Sequence, residues 1–207
     1  MHDAVIHLID DDEGVRQSLV FSLSTAGFAV RAYDSAVTFL KALPGLQPGC
    51  VVTDVRMPEI DGIDLLRRLR QIGHQIPVIV MTGHGDIRLA VEAMKAGAAD
   101  FIEKPFDDDM LIQAIRDATG RRGSSLEAED NARLIRERLS TLTQREREVL
   151  TGLLAGHPNK AIAYDLSLST RTVEVHRANL MKKAGATSFS ELVRMALIAK
   201  PPAGSDN

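Results

Sequence analysis

The chain has 207 residues, 44% of them hydrophobic, with 25 Lys and Arg against 28 Asp and Glu for a formal net charge of −3. That length suits one large domain or two modest ones, and that apolar content is too high for a disordered chain. No apolar run approaches the roughly 18 residues that span a bilayer, and the single cysteine, Cys50, excludes an internal disulfide framework.

The opening Met1-His2-Asp3 has neither a basic nor an apolar leader region, so export is not expected and a reducing cytoplasm is the expected setting. The six histidines show no paired metal-ligand spacing, which argues against zinc. The net charge hides an asymmetry. Residues 1–120 hold 11 basic and 18 acidic side chains, net −7, whereas residues 121–207 hold 14 and 10, net +4. An acidic half joined to a basic half suggests two domains with different partners, the basic one a candidate for nucleic acid.

In chain order, the first 120 residues alternate strand and helix patterns. Apolar runs at 5–9, 28–32, 50–53, 77–81 and 99–103 read as strands. Helical patterns follow each of them, at 15–26, 37–43, 63–72, 87–96 and 110–118. Five such units imply a parallel sheet covered on both faces, hence a doubly wound, flavodoxin-like α/β fold with ligands at the carboxyl ends of the strands. Gly120-Arg121-Arg122-Gly123-Ser124-Ser125 breaks the pattern, and a charged helix with sparse leucines (Leu126, Leu134, Leu139) is expected over 126–139.

From Thr143 onward the chain reads as helix without strand. Thr143 and Glu146 fit a capping box; helices follow at 145–155, 159–166 and from 169 to about 184, and Ser188 or Ser190 can cap a last one that Pro201 ends. The expected domains are therefore 1–120, a linker helix over 121–140, an all-α helix-turn-helix domain over 141–200 and a disordered tail over 201–207.

Polar residues stand at the predicted strand ends: Asp10 and Asp11, Asp54, Thr82 and Lys104. Three carboxylates in one cleft would repel one another unless a cation sat among them, and oxygen-only ligands favour Mg²⁺. A carboxylate can serve as nucleophile toward phosphorus, while a lysine and a hydroxyl stabilise the charge that is transferred. Pro105 after Lys104 permits a cis peptide. Asp12 and Glu13 are better placed to favour the start of the first helix. Arg56 and His84 each lie two residues past a site residue, at the rim, where their bulk can control water access and phosphate lifetime.

Leu8-Ile9-Asp10-Asp11, Thr53-Asp54-Val55-Arg56-Met57-Pro58 with Asp61-Gly62, Met81-Thr82-Gly83 and Lys104-Pro105-Phe106 together resemble the receiver domain of bacterial response regulators. The resemblance implies that Asp54 is the phosphoacceptor. It also implies that Asp10, Asp11, Asp54 and the backbone carbonyl of Arg56 hold Mg²⁺, that Thr82 and Lys104 contact the phosphoryl oxygens, and that Phe101 is the aromatic switch residue.

In the helical half, Ile162 and Leu166 share a helix face, as do Val173, Leu180 and Ala184 on the next helix. The outer face of that second helix, with Arg171, Glu174, Val175, Ala178, Lys182 and Lys183, suits a major groove. Leu142-Thr143-Gln144-Arg145-Glu146, Asn159-Lys160-Ala161-Ile162-Ala163 and Thr170-Arg171-Thr172-Val173-Glu174-Val175-His176-Arg177 resemble the LuxR-type DNA-binding domain. By position, Glu174, Val175 and Ala178 then face bases, while Lys160, Arg171, Thr172, Arg177 and Lys182 contact phosphates of double-stranded DNA; His176 can either be buried or reach a phosphate.

Receiver, linker and LuxR-type helices in this order are similar to the FixJ/NarL class, most of all to its FixJ group. The resemblance implies a transcriptional activator and no enzyme beyond Mg²⁺-dependent self-phosphorylation and dephosphorylation. It implies a sensor histidine kinase as donor, RNA polymerase as a partner, a homodimer when phosphorylated, and control of nitrogen-fixation or microaerobic genes. A haloacid-type phosphatase also uses an aspartyl nucleophile, but Val55-Arg56 after Asp54 lacks its Asp-x-Asp pattern. A constitutive DNA-binding protein with a degenerate receiver is disfavoured by the intact Asp54, Thr82 and Lys104.

Overall fold

The computed structural model describes residues 4–83, 87–120 and 125–199, with side chains from 130 onward in the last span. His84, the start of the linker and the tail over 201–207 lie outside the described residues. Contacts divide the chain into two compact units, with the main division near residue 122.

In the first unit, five strands form one parallel sheet: β1 (Val5–Ile9), β2 (Ala29–Tyr33), β3 (Gly49–Asp54), β4 (Val78–Gly83) and β5 (Asp100–Lys104). Their spatial order is β2-β1-β3-β4-β5. The order reverses between β1 and β3, so the crevice at the carboxyl ends of these strands is where such a fold binds ligands. β1 and β3 are apolar on both faces because helices cover both; Ile6, Leu8, Val52, Ile79 and Met81 are buried between α1 (Glu13–Thr25) and α5 (Asp108–Gly120) on one side. Cys50 belongs to the same core. It is fully buried in β3, and burial pushes its thiol up to about 12.

The helices start where their side chains can cap them. Asp12 accepts from the Val15 amide and opens α1, the role expected of the acids after Asp11. Ser35 caps α2 (Ala36–Ala42), which tightens into a single 3₁₀ turn at Leu43–Gly45. Asp61 caps α3 (Gly62–Gln71), whose Leu65, Leu66 and Leu69 are fully buried at helical spacing. Each such leucine contributes about 1.5–3 kcal/mol of burial. α4 (Ile87–Lys95) precedes β5.

The helical unit comprises α6 (Ser125–Ser140), α7 (Gln144–Leu154), α8 (Asn159–Asp165), α9 (Thr170–Ala184) and α10 (Phe189–Ala199). The Thr143–Glu146 capping box opens α7 as expected. Of the two serines that could open α10, Ser188 accepts from the Glu191 amide, while Ser190 is buried and bonded to Ser188. Val149, Leu153, Ile162, Val173, Leu180 and Leu192 make up much of the core. Leu139 packs against that core and Leu134 stays exposed, so the linker leucines do not form one free face; the Leu126 side chain lies outside the described ones.

One glycine fixes the start of α3 against the end of β3. The Gly62 amide donates to the Val55 carbonyl at 2.9 Å, and a Cβ at Gly62 would lie 2.2 Å from the Asp54 carbonyl oxygen. Backbone, not a flexible side chain, would have to move. Gly62→Ala should therefore destabilise the first unit by about 1–3 kcal/mol, read as an earlier urea midpoint in its unfolding.

Candidate functional site

Asp10 follows β1 directly, Asp54 ends β3 and Lys104 ends β5, so three strand ends converge on one point. The Lys104 ammonium donates to Asp54 Oδ1 at 2.6 Å and to Asp10 Oδ2 at 3.0 Å. The other oxygen of each carboxylate is also held. Asp10 Oδ1 accepts from the Asp12 amide at 3.0 Å, and Asp54 Oδ2 accepts from the Arg56 amide at 2.7 Å. Asp10 is 2% and Asp54 8% exposed, so these bonds act in a medium where charge–charge terms are strong.

Burial raises the Asp10 carboxyl above its ordinary range, against the opposing pull of Lys104. For Lys104, burial alone would lower the ammonium, but the bonds to Asp54 and Asp10 outweigh it and raise the group.

The expected site residues do not all meet. Asp11 is exposed beside Asp10, and no group of three His, Cys, Asp or Glu side chains positioned to hold a metal occurs among the described residues. Lys104 reaches between Asp10 and Asp54 and bonds one oxygen of each. Thr82 is fully buried on β4, and its hydroxyl faces the Gly83 carbonyl at 3.5 Å. Phe101 is half-buried in β5 opposite Val80. The Arg56 side chain is exposed, as a rim residue must be; His84 is outside the described residues. The Lys104–Pro105 peptide is cis.

In the helical unit, α8 and α9 form a helix-turn-helix with Val173, Leu180 and Ala184 facing inward. Lys160, Arg171, Glu174, Val175, Ala178 and Lys182 are exposed, with Val175 53% open to solvent. Thr172 is half-buried and shares its hydroxyl with Ser169, the α9 cap, at 2.7 Å. His176 is half-buried. Two cations of α9 have partners within the unit. Arg177 stacks over the Phe189 ring at 5.2 Å. Lys183 is exposed on the outer face, as expected, and its ammonium also bonds the buried Glu146 carboxylate at 2.8 Å; this bond is the main reason the Glu146 carboxyl lies below its ordinary range. Tyr164 is 87% exposed and lies one turn beyond Lys160 on α8.

The family profile described as the response regulator receiver domain matches residues 6–116, and that of the bacterial regulatory proteins, LuxR family, matches 140–196. The chain is 54% identical over 197 residues to the transcriptional regulatory protein FixJ of Rhizobium meliloti, covering 95% of this chain and 97% of that protein. The chain belongs to the FixJ-like response regulators. It is also 55% identical over 194 residues to FixJ of Azorhizobium caulinodans, across 94% of this chain and 92% of that one. The crystal structure of full-length FixJ from B. japonicum superposes with a TM-score of 0.58 at 51% identity, over 96% of this chain and 98% of that one. A receiver domain implies a sensor-kinase partner and a LuxR-type domain implies DNA binding. Among the described residues no helix is long and apolar enough to cross a membrane.

Removing Lys104 would leave two buried carboxylates without their shared cation. Lys104→Met should cost about 3 kcal/mol at neutral pH, the low end for a broken buried pair, because the lysine side chain is 27% exposed. Since burial already raises the Asp10 carboxyl and loss of Lys104 removes the group that opposes that rise, the loss should shrink as pH falls and the unpaired charge is neutralised. Melting curves of both proteins at pH 5 and pH 7.5 would check this; an equal loss at both values contradicts it.

Proposed function

We propose that the chain is a transcriptional activator switched by phosphoryl transfer to Asp54. The observation that carries this reading is the environment of Asp54: a buried carboxylate at a strand end, with an ammonium at 2.6 Å on one oxygen and a backbone amide at 2.7 Å on the other.

A carboxylate oxygen of Asp54 attacks the phosphorus of a phosphohistidine on the kinase. The new O–P bond forms as the N–P bond breaks, and the imidazole leaves with the electron pair and takes up a proton. The Arg56 amide fixes the plane of the Asp54 carboxylate before attack. Lys104 offers its charge to the arriving phosphoryl oxygens and Thr82 its hydroxyl, so that charge is met as it moves onto the site. Oxygen donors alone suit a hard divalent ion, and one ammonium cannot balance two buried carboxylates and Asp11; Asp10, Asp11, Asp54 and the Arg56 carbonyl would hold Mg²⁺. Bound there, the ion neutralises phosphoryl charge. The same site accounts for self-phosphorylation from small donors and for self-dephosphorylation, with Arg56 and His84 governing the approach of water.

Thr82 drawn toward the new phosphate, with Phe101 following, would alter the surface of α4 and β5 and favour a homodimer. Two copies then present two α9 helices to DNA half-sites, where the activator meets RNA polymerase in the cytoplasm. Glu174, Val175 and Ala178 would face bases, and Lys160, Arg171, Thr172, Arg177 and Lys182 would face phosphates. The matched spans support a receiver over 1–120, a linker over 121–140, a DNA-binding domain over 141–200 and a tail over 201–207. Identity to the FixJ proteins supports nitrogen-fixation or microaerobic genes as targets.

Acetyl phosphate should label the full chain, label Asp54→Asn not at all, and raise DNA affinity of the unsubstituted protein only; equal DNA affinity with and without label would refute the switch. Lys182→Ala should weaken binding to every DNA sequence and lower the slope of log K against log salt by about 1. Lys183→Ala, its partner being Glu146, should leave that slope unchanged and lower the melting temperature instead.

A further inference from the structure

The acidic turn after β1 is held by a residue that neither the sequence reading nor the proposed chemistry uses. Arg16, on the first turn of α1, folds back over the segment that precedes its own helix. Its Nη1 donates to the Asp10 carbonyl at 2.8 Å and, less closely, to the Asp11 carbonyl at 3.4 Å. Both bonds end on main-chain oxygens, although Asp10, Asp11, Asp12 and Glu13 offer four carboxylates nearby. The Asp12 amide meanwhile binds Asp10 Oδ1 at 3.0 Å, and the Asp12 side chain caps α1. The turn is thus pinned on its carbonyl side by Arg16 and on its amide side by Asp10 itself. Lysine would fill this role poorly, since a planar guanidinium presents several fixed donors where an ammonium is a point charge.

We propose that Arg16 is a positioning residue of the acidic site: by fixing the main chain of Asp10 and Asp11 it keeps both carboxylates aimed at one divalent cation. The inference rests on the reading of Asp10 and Asp11 as cation ligands.

Two consequences of losing Arg16 have opposite signs, which makes the idea testable. As a charge, the guanidinium repels a dication, so its removal tightens binding. As a clamp, it preorganises the ligands, so its removal weakens binding. The second effect dominates, because the guanidinium is bonded to the very residues that carry the ligands, whereas its charge is half-exposed and screened by solvent.

Calorimetric titration of Mg²⁺ into the full-length chain separates these effects. Arg16→Ala should bind Mg²⁺ about 2- to 10-fold more weakly, the worth of one or two net hydrogen bonds. Arg16→Lys, which keeps the charge and part of the reach, should fall between Ala and the unsubstituted protein. Arg16→Gln removes the charge and most of the reach, and should resemble Ala. Tighter or unchanged binding in Arg16→Ala and Arg16→Gln would overturn the proposal. Asp11→Asn is the control for the underlying reading. If it leaves Mg²⁺ affinity unchanged, the ligand assignment fails and the Arg16 inference falls with it; if it abolishes binding while Arg16→Ala has no effect, only the Arg16 inference fails. Melting temperatures of all variants, taken without Mg²⁺, identify any loss caused by misfolding, and Arg16→Lys then decides the outcome.

Discussion

The receiver unit depends on a single ammonium held between two buried carboxylates. Asp10 and Asp54 come from adjacent strands on either side of the point where strand order reverses, and that proximity is costly without a cation. Lys104 supplies one from two strands away, bonding both. The arrangement stays charged, polar and poised because every oxygen of the two carboxylates has a donor. In the proposed phosphoryl transfer, a site satisfied at rest by its own lysine would exchange that partner for the incoming phosphate without first building a new environment. Gly62 serves the same site from beneath, since only a residue without a Cβ lets α3 begin against the Asp54 backbone.

On α9 the charges divide into those that hold the unit together and those left open. Lys183, itself exposed, bonds Glu146 and Arg177 lies over the Phe189 ring, whereas Arg171 and Lys182 on α9 and Lys160 on α8 are exposed. Glu146 has two tasks: it closes the capping box of α7 and anchors the far end of α9 through Lys183. The C-terminal turn of α9 is thereby tied to the N-terminus of α7. A count of basic residues on a helical wheel therefore overstates the charge available to a polyanion.

Much of this was legible in the sequence. Apolar runs marked all five strands and period-3.6 patterns the helices that follow them, with ends misplaced by a residue or two, as at β2 and β5. Asp12 and Thr143 announced their helices because a cap is a local interaction of three or four residues. What stayed hidden was non-local. Nothing around residue 183 signals a carboxylate 37 positions earlier, and nothing around Asp11 signals that it stays exposed while its neighbour Asp10 is buried. Glu146 itself read as a cap and nothing more, since its second partner is brought by tertiary packing.

The interior of β3 has one further property. Cys50 is without solvent contact, and its proton is held far above neutral pH. The thiolate is the reactive form of cysteine, so the folded protein is inert toward disulfide exchange and alkylation. Because it is the chain's one cysteine, a thiol reagent added in solution reads opening of the central strand and nothing else. A second cysteine placed on the surface would accept a spectroscopic label at a single position, with no need to remove the native one.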